Sequence, residues 1–381
     1  MLMRSALKNA LGQSIKPLLP SLLLWLLLFA PAQAATALRV VLKENVKQVA
    51  VGSSTKAVIK DATGNPLGEV EGMSGFRAES GKGKVRLGQW QGRQLEIDPK
   101  GDGYVWIGDR WYRGETKLIH DGSDLTVINQ VNIEDYLYSV VGGEMVASWP
   151  LEALKAQAVA ARSYALHKQE SAQNRLYDVK STTASQVYKG IKSEAPRTVE
   201  AVNTTQGQVL TYGDRPILAV FHSSSGGHTE NVEDVWSRPL PYLRGVADYD
   251  QTAPVYQWEK RLSKGEMGRR LGNLGAIQSL IPQQTTPQGR IVKLKVVGDR
   301  ATQTISGNEF RKALDLRSTL FQVNPTPQGF VISGRGFGHG VGLSQWGAYY
   351  LAQQGANYRQ ILGHYYQQVK LALIDTQVAR N

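Results

Sequence analysis

The sequence predicts an α+β protein: a β-rich N-terminal region, then a mixed α/β domain built around a central small-faced helix. Three observations carry this. From Leu38 to about Ile128, short strand-like runs are separated by clusters of Gly, Asn, Asp and Pro. At Ile133 the hydrophobic period changes to that of a helix, with Leu137, Val140, Val141 and Glu144 on one face. After Pro150, the residues Leu151, Leu154, Ala158, Ala161 and Ala165 form a stripe of mostly small side chains. Such a stripe lets a neighbouring element approach closely, as in a buried central helix.

Taken in order, the chain opens on a segment with the layout of a signal peptide. Arg4, Lys8 and Lys16 form a basic start, Leu22 to Ala30 (LLLWLLLFA) an apolar stretch, and Ala32-Gln33-Ala34 a cleavage pattern. The apolar stretch is short of the about 20 residues that span a membrane, so export is expected, to the periplasm or cell wall. An uncleaved anchor is the alternative. The chain has 381 residues and no cysteine, so an exported product depends on an ordinary core rather than on disulfides. Its net charge is +12; the leader holds three positive charges and no acid, which leaves +9 for the remainder. That suits anionic wall polymers or membrane surfaces, and equally a protein that is only soluble and basic. Nucleic acid is set aside, because the chain leaves the cytoplasm and has no dense Lys/Arg run.

LRVVLK, KAVIK, KVRLGQW, QLEI and YVWIG are the expected strands of the first region, with turns at Thr63-Gly64-Asn65-Pro66 and Pro99-Lys100-Gly101-Asp102-Gly103. LTVINQV (125–131) is a further strand. The helix from Ile133 is expected to end or loosen at Gly142-Gly143 and to restart at Ser148-Trp149-Pro150. Thr198 to Val220 predicts a helix and a strand pair turning at Gly213-Asp214. Arg290–Val297 and Phe330–Ser333 are expected strands, and Gly307–Leu314 a short helix. SQWGAYYLAQQG and NYRQILGHYYQQV predict two final helices, the first capped by Gly355.

Three places carry polar groups suited to chemistry. Glu144 lies on an apolar face, where desolvation favours the protonated form that a general acid needs. The same spacing fits an exposed Glu at a helix end, or one paired with Arg162. HSSSGGHT (222–229) brings His222, Ser224 and Ser225 together with close-approaching glycines; it is either a loop that contacts a hydroxyl-rich ligand or a tight turn after a strand. Two histidines and no cysteine are too few for a usual zinc site. GRGFGHGVG (334–342) has glycine at alternate positions, leaving Arg335, Phe337, His339 and Val341 as its side chains. This spacing matches no nucleotide loop, and it permits close approach of a chain or ligand to bare backbone. Gln345 and Trp346 follow, an amide beside a flat ring, a pairing that suits a sugar or a packed core tryptophan equally.

Together, EDYLYSVVGGEMVASWPLEALKAQAVAARSYAL, YDVKSTTASQVY, HSSSGGHTENVEDVW, PLPYLRGV and GRGFGHGVGLSQWGAYYLAQQG resemble the SpoIID/LytB family of sporulation stage II protein D and the amidase enhancer LytB. The resemblance covers about Tyr112 to Leu371 and is interrupted from about Asp250 to Val331. It implies an exported protein acting on peptidoglycan glycan strands. In the sporulation members the acid of the V-V-x-x-E-M motif is the catalytic residue of a lytic transglycosylase, and it matches Glu144. That acid would protonate the oxygen between N-acetylmuramic acid and N-acetylglucosamine, then accept the C6 hydroxyl proton as a 1,6-anhydro sugar forms. One carboxylate then suffices, unlike the pair of an ordinary glycosidase. Arg162, His222, Ser224, Ser225, His339, Gln345 and Trp346 are the expected substrate-binding residues. Some members bind zinc through Cys and His where Lys180, Ala184 and Ser185 stand here, so no metal and no other cofactor is expected. Other members enhance an N-acetylmuramoyl-L-alanine amidase, which makes a cell-wall amidase the alternative partner. The expected division is 1–34 signal peptide, 35–110 β-rich region and 111–375 SpoIID/LytB-like domain, with an insertion-like segment near 250–331.

Overall fold

The computed structural model describes residues 37–122, 124–172, 176–236 and 238–374; the expected signal peptide lies outside them. Strands and helices are both abundant, so the fold is α+β. A seven-stranded sheet runs in the order Val179–Lys180, Ala37–Val46, Asp124–Asn132, Glu115–Asp121, Gln94–Pro99, Ala57–Lys60 and Pro66–Val70. Its pairings are antiparallel except that of Ala37–Val46 with Val179–Lys180, which is parallel. A six-stranded sheet, Arg110–Tyr112, Val105–Ile107, Gln48–Ser53, Gly75–Gly81, Lys84–Leu87 and Trp90–Gly92, shares its core. Alternation along these strands produces that core: Leu38, Val40, Val51, Ile59, Leu95, Val127 and Val131 are all buried.

The helices are α1 (Ile133–Glu144), α2 (Leu151–Ser171), α3 (Pro196–Asn203), α4 (Val232–Val235), α5 (Lys264–Arg270), α6 (Gly307–Ala313), α7 (Gln345–Gln353) and α8 (Tyr358–Tyr365). Asn132 starts α1 by accepting the Glu134 N–H at 2.7 Å. Helix α2 is buried almost all round, packed by α1, α3, α7, α8 and the strand Gln208–Tyr212. Its alanines keep those neighbours close. Gly213 and Asp214, with φ of 57° and 60°, form the tight turn between Gln208–Tyr212 and Arg215–Pro216.

Gly142 and Gly143 do not end α1, which continues through both to Glu144. Their role is steric. A Cβ on Gly142 would lie 1.9 Å from the Ser193 carbonyl oxygen, and one on Gly143 2.6 Å from that of Val187. The bare last turn therefore lets the 186–193 segment pack directly onto the helix backbone.

Residues 257–335 build two three-stranded antiparallel sheets with α5 and α6 around a second core of Met267, Leu294, Phe310 and Ile332. This segment is fastened to the rest by Arg290, only 1% exposed, which donates to the Ser225 carbonyl and lies 3.4 Å from Glu230. Thr286 adds a hydrogen bond of 2.8 Å to the same Glu230. Among the described residues no helix is long and apolar enough to cross a membrane.

Candidate active site

Glu144 is the last residue of α1, and its carboxyl opens into a cleft of ≈ 920 Å³. One wall comes from α2 (Tyr164, Lys168) and the 183–185 loop. A second comes from Leu218 to Ser223 and from Phe337 to His339, and a third from α6 and its exit, Arg311, Lys312, Asp315 and Leu316. The segment 257–335 thus supplies part of the site.

The Val187 N–H donates to Glu144 Oε1 at 2.7 Å, a contact made possible by the glycine pair immediately before Glu144. Burial nevertheless pushes the Glu144 pKa above its ordinary value of 4.5, outweighing the Val187 N–H, the Gln345 amide and the more distant Lys189, which favour the charged form. The negative end of the α1 dipole acts in the same direction as burial. The result is a carboxyl biased toward its acid form and open to a ligand. Tyr164, also lining the cleft and bonded to Ser185, has its phenol pushed up by burial and by Glu144, so it stays a neutral donor.

His222 and His339 face each other at 5.1 Å between ring centroids. His339 accepts the Val341 N–H on Nδ1 at 3.1 Å and therefore donates from Nε2 to the Phe221 carbonyl at 2.9 Å. Nδ1 of His222 donates to the Val341 carbonyl at 3.1 Å. Burial lowers both pKa values, that of His339 to about 4, so both rings are neutral at physiological pH. They are held as wall, with fixed tautomers.

Of the expected site residues, the catalytic candidate Glu144 and the substrate-binding candidates His222, His339 and Gln345 converge on this cleft. Four others do not line it. Arg162 is fully buried behind α1, where its guanidinium grips Glu134 through Nε at 2.9 Å and Nη2 at 2.6 Å and reaches the Gln208 carbonyl at 3.0 Å. An ionised arginine inside a protein needs such a partner, and Glu134 satisfies it. Ser224 and Ser225 are also fully buried, donating to Asp250 and, at 2.5 Å, to Asp248. Asp248 is held in turn by the Tyr365 hydroxyl at 2.6 Å. The serines shape the loop from inside. Trp346 packs with Trp149 at 4.6 Å and Tyr349 at 5.3 Å, joining α7 to the start of α2.

The alternate glycines also receive a different explanation. Gly336, Gly338, Gly340 and Gly342 all have positive φ, and a Cβ on them would strike Ser224 backbone, His222, the Arg290 guanidinium and Val220 backbone at 2.2–2.7 Å. The close approach is by the protein's own chain.

Sequence reasoning missed Trp236, Lys168, Arg311 and Lys312. Trp236 follows α4 and is 37% exposed, an unusual state for a tryptophan. The cations sat in stretches with no distinguishing pattern. Of the three positions that the family resemblance marks for zinc ligands, Ala184 and Ser185 line the cleft and Lys180 pairs with Glu44 at 2.7 Å. Among the described residues no group of three or more His, Cys, Asp or Glu is placed to hold a metal.

Fold and site together define an α+β protein with a cleft-facing carboxyl of raised pKa at the end of a helix. The family described as Stage II sporulation protein matches residues 121–212, and a domain of unknown function (DUF8618) matches residues 241–342. The chain is 34% identical to stage II sporulation protein D of Bacillus amyloliquefaciens, over 66% of this chain and 78% of that protein. It is 36% identical to an uncharacterized protein of Brachyspira hyodysenteriae, over 71% of this chain and 74% of that one. An amidase enhancer of Bacillus subtilis is 31% identical, over 60% of this chain and 39% of the enhancer's length. The chain belongs to the SpoIID/LytB family.

Proposed function

We propose that this is an exported peptidoglycan lytic transglycosylase with Glu144 as its acid and base. The carrying observation is the Glu144 carboxyl: largely withdrawn from water, raised in pKa, held by Val187 N–H, and open to a cleft of ≈ 920 Å³. The protonated carboxyl gives its proton to the glycosidic oxygen between N-acetylmuramic acid and N-acetylglucosamine, and the C1–O bond breaks. The C6 hydroxyl of the same muramyl residue then bonds to C1 and loses its proton to the Glu144 carboxylate. The acid is regenerated, no water is consumed, and the products are a free 4-hydroxyl and a 1,6-anhydro end. Gln345 orients the carboxyl, Tyr164 and Ser223 offer donors to sugar oxygens, and Arg311, Lys312 and Lys168 suit the acidic substituents of a wall glycan.

The test incubates the exported form and its Glu144→Gln variant with glycan strands, with and without stem peptides. Anhydro-ended products from the wild type and none from the variant are expected in mass spectra. A second reading is favoured by the relative named as an amidase enhancer: a wall-binding partner of an amidase. Wild-type protein that binds wall and stimulates an amidase while releasing no anhydro ends overturns the enzyme reading in its favour.

A further inference from the structure

Two aromatic side chains in the Glu144 cleft are left open to solvent although their backbones are fixed. Trp236 is 37% and Phe337 41% exposed, and both line the cleft. Trp236 follows the single turn of α4, and its N–H bonds the Val232 carbonyl at 2.7 Å. Its ring meets that of His339 at 5.1 Å and 50°. His339 is itself locked by hydrogen bonds from both ring nitrogens, so it is a rigid brace. Phe337 sits in the glycine-rich run, where its N–H and C=O exchange hydrogen bonds of 2.8 and 3.0 Å with Ser224. Ser224 is anchored in turn to buried Asp250.

Withdrawing a large aromatic side chain from water stabilises a fold, so leaving part of two such rings exposed in the cleft forgoes some of that gain. Rigid aromatic faces beside polar groups are what an amphipathic, cyclic ligand requires. A pyranose has that character: an apolar C–H face, with hydroxyl and acetamido groups round its edge. Ser223 and Gln345 supply hydrogen-bonding groups in the same cleft. A membrane surface or protein partner would instead favour a protruding patch rather than a recess beside a carboxyl.

We infer that Trp236 and Phe337 form a sugar-stacking subsite adjoining Glu144, which takes one N-acetylhexosamine ring by its C–H face. This assigns the platform role expected of Trp346, which is packed away from the cleft, to two other residues. The inference rests on the glycan-cleaving reading, and the measurements below separate the two.

Binding is measured with N-acetylglucosamine oligomers and with purified glycan strands, in the Glu144→Gln background so that nothing is cleaved; cleavage is measured separately with Glu144 intact. Trp236→Ala is expected to weaken binding about 10-fold and to act mainly through KM, and Trp236→Phe to restore most of it. Oligomer binding should also shift the tryptophan emission of the protein to the blue, a change absent from Trp236→Phe. Phe337→Ala is the second variant, and native circular dichroism certifies folding of each. Unchanged binding in folded Trp236→Ala and Phe337→Ala overturns the subsite while leaving Glu144-dependent cleavage standing. Trp236-dependent binding by a wild type that makes no anhydro ends supports the subsite and overturns the enzyme reading. A wild type that neither binds nor cleaves overturns both.

Discussion

Gly143 offers a direct test of how the Glu144 carboxyl is held. In an exposed helix, Gly→Ala stabilises by about 0.5–1 kcal/mol, because alanine loses less backbone entropy on folding. Gly363, exposed in α8 with nothing within 4 Å of its notional Cβ, should show that gain. Gly143→Ala should do the reverse. Its Cβ falls 2.6 Å from the Val187 carbonyl oxygen and 3.3 Å from Val187 Cγ1, so the 186–193 segment must retreat to restore ordinary contact. Overpacking of that kind costs about 1–3 kcal/mol. The same retreat stretches the 2.7 Å bond from Val187 N–H to Glu144, a hydrogen bond to an ionisable group worth about 1.5–3 kcal/mol. After the helix gain is subtracted, a net loss of about 1.5–5.5 kcal/mol remains, or roughly 2–8 °C in Tm for a chain of this size. Thermal unfolding followed by circular dichroism reads it, with Gly363→Ala as the internal control. If both variants melt at or above the wild type, the tight contact between α1 and the 186–193 segment is not there, and the account of how Glu144 is positioned fails with it.

Three further outcomes follow from the same geometry. Arg162→Ala leaves Glu134 buried without its partner and should cost about 3–5 kcal/mol, seen as a large fall in Tm; near-native stability with weakened glycan binding would return Arg162 to the cleft. The raised Glu144 pKa means that the folded state holds its proton at pH values where the unfolded chain has lost it, so this residue removes stability as pH rises above 4.5. Glu144→Gln should therefore gain stability on the wild type as the pH of urea titrations moves from 4 to neutral, and equal midpoints at every pH would contradict the burial. His222 and His339 have the opposite sign: neutral in the fold, they charge first in the unfolded chain, so stability is present above pH 6.5 and is lost as pH falls through 6.5 toward about 4. His222→Gln and His339→Gln should each flatten that slope, and an unaltered slope in both single variants would refute it.

The architecture was legible wherever local pattern and tertiary role agree. The alternation in LRVVLK and QLEI, the alanine stripe of α2, and the Gly213-Asp214 turn each follow from short-range physics that burial then reinforces. Strands such as Gly75–Gly81 (GFRAESG) escaped notice, because a half-solvated strand carries few apolar residues. Glycine meaning was the least readable property. Gly142 and Gly143 look like helix breakers until the 186–193 backbone is laid against them, and the alternate glycines of 336–342 look like a ligand bed until Ser224, His222 and Arg290 fill the space. At the site, Glu144, His222, His339 and Gln345 were findable because each is a polar group in an apolar or glycine-rich setting. Arg162 and the two serines had the same signature for the opposite reason: a buried polar group needs a partner, and Glu134, Asp248 and Asp250 lie too far away in sequence to announce themselves. Trp236 was visible as a residue but not as an exposed one.

The position of Ala37–Val46 in the large sheet has a consequence for how the chain can be cut. That strand lies between Asp124–Asn132 and Val179–Lys180, while Gln94–Pro99 covers the outer side of Glu115–Asp121. A fragment beginning after residue 110 would keep the carboxyl, its helix and every wall of the cleft, yet bare both flanks of a central hairpin. Unpaired flanks of that kind recruit any available strand, including those of identical fragments. Proteolytic trimming and gene fusion must therefore treat residues 37–110 and the cleft as one heritable unit, even though the proposed chemistry resides in only one of them.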